Sequence, residues 1–313
     1  MADITASMVK ELRERTQAGM SDCKNALVEA GGDMEKAVEV ILKKGIVKAA
    51  SRSGKVATEG EVHTVVSTDG KRGTILEVNC QTDFVSRGDD FRGFVNKVAQ
   101  VASSGIASGS DLGGQKYPGT DKTVEVVRQE MIAKTGENTV VRRWEVLETK
   151  SPNGLVHAYV HMGGKLAVLL HAEAPSADAV KNPEFKSFVD NCAMQIAAMS
   201  PIVVSKEQVA PADLAKQKEI FEGQLKEEGK PEAAWPKIIE GKVAKWFTEV
   251  TLLGQQNVWD PEKGTIESLR AELGKTLGGE VKLVTFVRYG LGDGIEKKTD
   301  DLAEEVAKLT GGN

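Results

Sequence analysis

The sequence predicts an α+β fold, and three observations carry that prediction. A strand–turn–strand–helix pattern occurs twice in the middle of the chain. Short amphipathic segments with helical periodicity precede it. A pair of helical segments joined by a tight turn interrupts the second copy. The expected architecture is an N-terminal three-helix bundle, two repeated α+β subdomains with antiparallel sheets, an inserted helical hairpin and a C-terminal helix. The chain has 313 residues and is 40% hydrophobic, enough to build cores for two or three domains.

Residues 5–45 read as three short helices. Thr5 is placed to cap the first, with Ile4 and Val9 at staple spacing around it. Ser21 is expected to open the second, and Gly31-Gly32 to stop it. Asp33 caps the third, where Met34, Ala37, Val38, Ile41 and Leu42 follow the i, i+3, i+4, i+7, i+8 rule. Gly45 is expected to end that helix. The following KAASRSGKVATEG reads as a linker, being rich in Gly, Ser and Lys.

EVHTVV, a turn at TDGKRG and TILEVNC make a hairpin pattern rich in β-branched residues. The stretch CQTDFVSRGDD connects it to DDFRGFVNKVAQVAS, an amphipathic helix. The Gly/Ser-rich residues 103–122 read as loop, VEVVRQEMIAKTG as helix and TVVRRWEVLE as strand. GLVHAYVHMGGKLAVLLHA then repeats the hairpin, and FKSFVDNCAMQIA repeats the helix. Phe91, Phe94, Val95 and Ala99 match Phe185, Phe188, Val189 and Ala193 in spacing.

Residues 206–247 read as an antiparallel helical hairpin with a Lys-Pro tip. Leu214, Phe221 and Leu225 would face Trp235, Ile238, Ile239 and Val243. EVKLVTFVRY is a strand and DDLAEEVAKL a terminal helix with Leu302, Val306 and Leu309 on one side.

The chemistry visible in the sequence is sparse. A net charge of -5 and a pI near 5.6 disfavour a duplex nucleic-acid binder. Cys23, Cys80 and Cys192 lie far apart with no CxxC pair, which reads as reduced thiols in a cytosol. No signal-peptide core opens the chain, and no apolar run approaches the ~20 residues of a membrane helix. GKT at 274–276 lacks the P-loop's earlier glycine, since position 269 is Leu, and reads as a turn after a helix. GLGDG at 290–294 reads as a loop. His157 and His161 would share one face of a strand, yet no third ligand accompanies them. A metal-dependent enzyme built on them is the weakest of the readings. An RNA-binding module using KAASRSGK is another, disfavoured by the acidic total. No nucleophile shows an arranged base, so no catalytic residue and no cofactor is expected.

Phe84 raises the sharper question. It stands just past a strand, where a polar turn is expected. The matching connection in the second copy, AEAPSADAVKNPE, has no aromatic, so the scaffold does not require one. An exposed Phe forgoes roughly 1.5–3 kcal/mol of burial, which a partner pocket would recover. The alternative is a Phe folded into the core beside an Asp83 that caps the turn. Met20, in QAGM, likewise reads as core filling or as an exposed contact.

LRERTQAGMSDCKNAL (12–27) and EVNCQTDFV (77–85) resemble the two signatures of bacterial elongation factor Ts. AGGDMEKAVEVILKKG, GENTVVRRWE, YVHMGGKLAVLL, GQQNVW and GDGIEKKTDDLAEEV extend the resemblance over nearly the whole chain. Gln17 stands where the family usually has Gly, Ser21 where it has Met, and Thr135 where relatives can carry an apolar contact residue. The resemblance implies a guanine-nucleotide exchange factor for elongation factor Tu. Such a factor is cytoplasmic, supports translation elongation and has no catalytic chemistry of its own. It implies a ubiquitin-associated-like bundle (1–54), a core N-subdomain (55–150) and a core C-subdomain (151–205 and 248–292). The hairpin (206–247) and a C-terminal module (293–313) complete it. It assigns Thr82, Asp83, Phe84 and Val85 to disturbance of the partner's Mg2+ and phosphate site. Leu12, Met20 and His161 become further partner contacts. A homodimer is left open, with no membrane and no nucleic acid expected as partner.

Overall fold

The structure is a computed structural model that describes residues 4–16, 18–52 and 54–296. Gln17 and the expected terminal helix DDLAEEVAKL lie outside the described residues. The chain forms two compact units. The first holds Met1–Val62, Leu76–Arg143 and Gly290–Asn313, and the second His63–Ile75 and Trp144–Tyr289.

The first unit opens with α1 (Ala6–Thr16), α2 (Met20–Glu29) and α3 (Met34–Arg52). Thr5 Oγ1 accepts from the Met8 N–H, and Asp33 Oδ1 from the Lys36 N–H, so both expected caps are made. Gly31 and Gly32 take positive φ, and the Gly32 N–H reaches the Leu27 carbonyl, a Schellman close. Val9, Leu12, Cys23, Ala26, Leu27, Ala37 and Ile41 form the bundle core. Two boundaries differ from expectation. Helix α2 begins at Met20 behind Gly19 rather than at a Ser21 cap. Helix α3 continues through Gly45 to Arg52, across the stretch expected to be a linker. It packs on α6 (Val124–Thr135), and the Arg52 guanidinium donates to the Gly136 carbonyl. Tertiary anchoring of this kind outweighs the ~1 kcal/mol cost of one mid-helix glycine.

Two small antiparallel sheets follow. The first has the order β1-β2-β3, from β1 (Glu59–Val66), β2 (Arg72–Cys80) and β3 (Val140–Glu148). Central β2 is buried from Gly73 to Cys80. Gly60 is obligatory: a Cβ there would lie 2.1 Å from the Val78 carbonyl oxygen. Helix α4 (Asp83–Arg87) occupies the connection to α5 (Asp89–Ser103). Helix α5 buries Phe91, Phe94, Val95, Val98 and Ala99. The loop before α6 is pinned by buried Tyr117, stacked 6.0 Å from Phe94.

The second sheet has the order β4-β5-β6, from β4 (Gly154–His161), β5 (Leu166–Glu173) and β6 (Lys282–Gly290). Strands β4 and β5 are antiparallel, with His161 opposite Leu166 at the turn. Helix α7 (Pro183–Met199) covers them, burying Phe185, Phe188, Val189 and Ala193 with Val168, Leu170 and Ala172. The hairpin is α8 (Pro211–Glu227) and α9 (Trp235–Val250), with Leu225 and Val243 buried. Its two ends are joined by backbone bonds Ile202 N–H to Val250, Leu252 N–H to Val203 and Leu253 N–H to Val204. Helix α10 (Ile266–Leu277) is the helix expected before GKT, but it runs on through GKT in its last turn and ends only at Leu277.

Helix α10 completes the repeat. Thr123 caps α6 and Thr265 caps α10. Glu125 pairs with Arg128, as Glu267 pairs with Arg270. Arg128 donates to the Thr139 carbonyl, and Arg270 to that of Val281. Gly136 and Gly278 close the helices in the left-handed region, φ 76° at each. Each copy is therefore strand, strand, helix, helix, strand.

Candidate protein-interaction site

The turn at 82–87 is short and built by local bonds. Thr82 is extended at the N-cap, and its Oγ1 accepts from the Val85 N–H at 3.4 Å. Asp83 sits in the first turn and pairs with Arg87 at 3.0 Å, four residues on. Ser86 Oγ donates to the Asp83 carbonyl. Phe84 lies on the outer side of this turn and is 87% exposed. Of the two readings the sequence left open, the ring stands outside the core. Val85 is half-buried.

Behind the turn lies polar support that the sequence did not disclose. Glu137 accepts from the Gln81 N–H (3.1 Å), the Thr82 N–H (2.9 Å) and the Thr82 hydroxyl (2.6 Å). The Cys80 thiol donates to the Thr82 carbonyl. One strand turn earlier, Glu77 is fully buried. It accepts from Arg142, Arg143, Asn79 and the Gly292 N–H. Burial alone would raise its carboxyl, but those hydrogen bonds outweigh it and hold the pKa below the usual carboxylate value.

The other expected contact residues divide. Met20 is 51% exposed at the start of α2. Leu12 has no exposed surface and packs in the bundle core, so it shapes the bundle instead of presenting a contact. In the second unit, His161 is exposed, stacks on Tyr159 at 5.9 Å and shares a hydrogen bond with its hydroxyl. Met162 beside it takes φ 48° and is 73% exposed at the hairpin turn, a feature not marked in advance. His157 bonds Asp190 instead. Among the described residues, no group of three or more His, Cys, Asp or Glu is placed to hold a metal ion. Nor is any helix among them long and apolar enough to cross a membrane.

A family model described as Elongation factor TS matches residues 81–293. An elongation factor Ts of Clostridium perfringens (strain SM101 / Type A) is 46% identical over 309 residues, 98% of this chain and 99% of the relative. Those of Clostridium kluyveri (strain NBRC 12016) and of a Nitratiruptor species are each 45% identical, covering 97% of this chain and 98% of their own. These matches define a translation elongation factor. The chain belongs to the elongation factor Ts family.

Proposed function

We propose that the chain is a guanine-nucleotide exchange factor that binds elongation factor Tu·GDP and promotes GDP release. The observation that carries this reading is Phe84: a large apolar ring, 87% exposed, on a turn held by capping and carboxylate bonds. Such a ring is an interface anchor awaiting a pocket. The partner's nucleotide is held in large part through a magnesium ion that bridges phosphates and switch residues. Phe84 wedges apolar surface beside that site, and Asp83 brings a carboxylate near the metal. Thr82 and Val85 complete the element. Exposed Met20 and His161 hold the partner, and Leu12 shapes the bundle that carries Met20.

No bond is made or broken by the factor. By linkage, it must weaken nucleotide binding by the same factor by which nucleotide weakens its own binding. It therefore grips the nucleotide-free partner most tightly. The action is cytoplasmic, in translation elongation. The domain boundaries expected above are retained as part of this reading.

The test is release of fluorescent GDP from purified elongation factor Tu. Phe84→Ala is expected to slow stimulated release by about 30-fold, the size of one lost hot spot. Its melting temperature stays within a degree or two of the parent, because an exposed ring contributes little to the free chain. Asp178→Ala, at the matching position of the second copy, leaves release unchanged. An unaltered rate for Phe84→Ala would sink the proposal.

A further inference from the structure

We propose that Glu137 is a positioning residue for exchange: its carboxylate sets the turn that presents Phe84, and it acts only through that turn. The inference rests on the function proposed above and deepens it.

A helix of five residues does not hold itself. The chain enters α4 through Gln81 and Thr82, both half-buried, whose N–H groups precede the helix's own bonds. Glu137 takes both, together with the Thr82 hydroxyl, at 2.6–3.1 Å. Charge-assisted bonds of this kind are roughly twice as strong as neutral ones. They fix the backbone two residues before the aromatic, so they aim the ring without touching it. Glu137 is delivered by Gly136, whose left-handed conformation turns the chain out of α6. Its neighbours secure the same corner: Arg52 donates to the Gly136 carbonyl, and Asn138 Nδ2 donates to the Lys55 carbonyl at 2.9 Å.

The second copy shows that the scaffold closes this corner without a carboxylate. Gly278 matches Gly136, and the next residue is Gly279. A Cβ on Gly279 would lie 2.8 Å from Pro175 Cβ, so there the connection packs directly on the backbone. Pro175 matches Gln81 and has no N–H to donate. The carboxylate and one of its three donors, the Gln81 N–H, are thus absent together in the copy that has no aromatic. That pairing marks Glu137 as belonging to the exposed ring and not to the fold.

A double-mutant cycle on GDP release from elongation factor Tu, with the full-length factor at saturation, tests this. Glu137→Gln is expected to slow release about tenfold, while the half-saturating concentration changes far less. Combined with Phe84→Ala it is expected to slow release no further than Phe84→Ala alone. A Glu137→Gln protein as fast as the parent beside a slow Phe84→Ala overturns the inference and leaves the functional reading standing. Multiplied losses in the double variant also overturn it, because they show a role independent of the ring. A Phe84→Ala protein at the parent rate overturns both. If Glu137→Gln does not melt cooperatively, Glu137→Asp, which keeps the charge and shortens its reach, enters the same cycle with the same expected non-additivity.

Discussion

Residues 81–90 of the first copy and 175–184 of the second align without a gap, leading from each hairpin to the matched Phe91 and Phe185. Both begin with a hydroxyl cap. Thr82 Oγ1 accepts from the N–H three residues on, and so does Ser176 Oγ, from Ala179. Both lead into a helix whose Phe, Phe-Val and Ala positions are shared. They differ at the first residue after the cap, Asp83 against Ala177, and most sharply at the second, where the first copy exposes Phe84 and the second Asp178. An exposed charge is what a solvated turn ordinarily carries; an exposed Phe is not. The comparison separates what the fold needs, a capped turn of fixed length, from what one copy adds to it. It applies again inside the sheets. Where the first copy buries Glu77 among two arginines, the second places His171, with neither arginine partner.

The largest expected effect tests that second contrast. Glu77→Gln leaves Arg142 and Arg143 facing a neutral amide and should cost about 3–5 kcal/mol. Denaturant unfolding would read this as a lower midpoint at an unchanged slope. A loss under about 1 kcal/mol would mean the buried cluster is no clamp and the contrast at 77 and 171 is incidental.

Gly279→Ala should cost less, about 1–3 kcal/mol, by forcing Pro175 off the backbone it packs against. A neutral result would show that the second copy's corner is loose, and that a side chain at Gly279 was always permitted there.

The smallest effect lies in pH. Burial lowers the His171 imidazole below its usual 6.5, with Glu173 opposing and Lys71 adding to the shift. Its neutral form is favoured by folding. The associated stability is complete above 6.5 and falls as pH drops from there through the folded pKa. Glu77 works in a lower window. Its folded pKa is depressed, so its contribution is complete above the ordinary 4.5 and is lost on further acidification. Melting curves between pH 7 and pH 3 should therefore show a loss that starts with His171 and continues as Glu77 and other carboxylates with lowered pKa, Glu125 among them, are protonated. His171→Gln is expected to remove the part just below pH 6.5, and Glu77→Gln to reduce the part below pH 4.5.

Much of this fold was legible because periodicity and punctuation report local choices. The strands, the helix over 89–103, its partner over 183–199 and the hairpin over 211–250 followed from apolar spacing. Phe84 was legible as an anomaly because the second copy served as an internal control. What escaped depended on partners distant in sequence. Helix α3 ran past Gly45 because it packs on α6 and because Arg52 finds a carbonyl 84 residues away. Glu137 drew no notice in the sequence because its donors lie 55 and 56 residues earlier. A signal for it did exist: aligning Gly136 with Gly278 sets Glu137 against Gly279, and aligning Phe91 with Phe185 sets Gln81 against Pro175. Helix α10 was expected only as a helix ending before GKT, and its place as the counterpart of α6 in the repeat was not drawn. Its Thr-x-Glu-x-x-Arg opening, shared with α6, would have exposed it.

The stem of the inserted hairpin has a consequence of its own. Val203 and Thr251 bridge side by side, and Val204, Thr251 and Leu252 are buried there. Entry and exit of the insertion are thus stitched to each other in the core before the two helices depart. Whatever hangs from that seam is topologically an appendage: it could be trimmed to a few glycines, or exchanged for an unrelated helical pair, and the β-sheet beneath would still find its own ends in register.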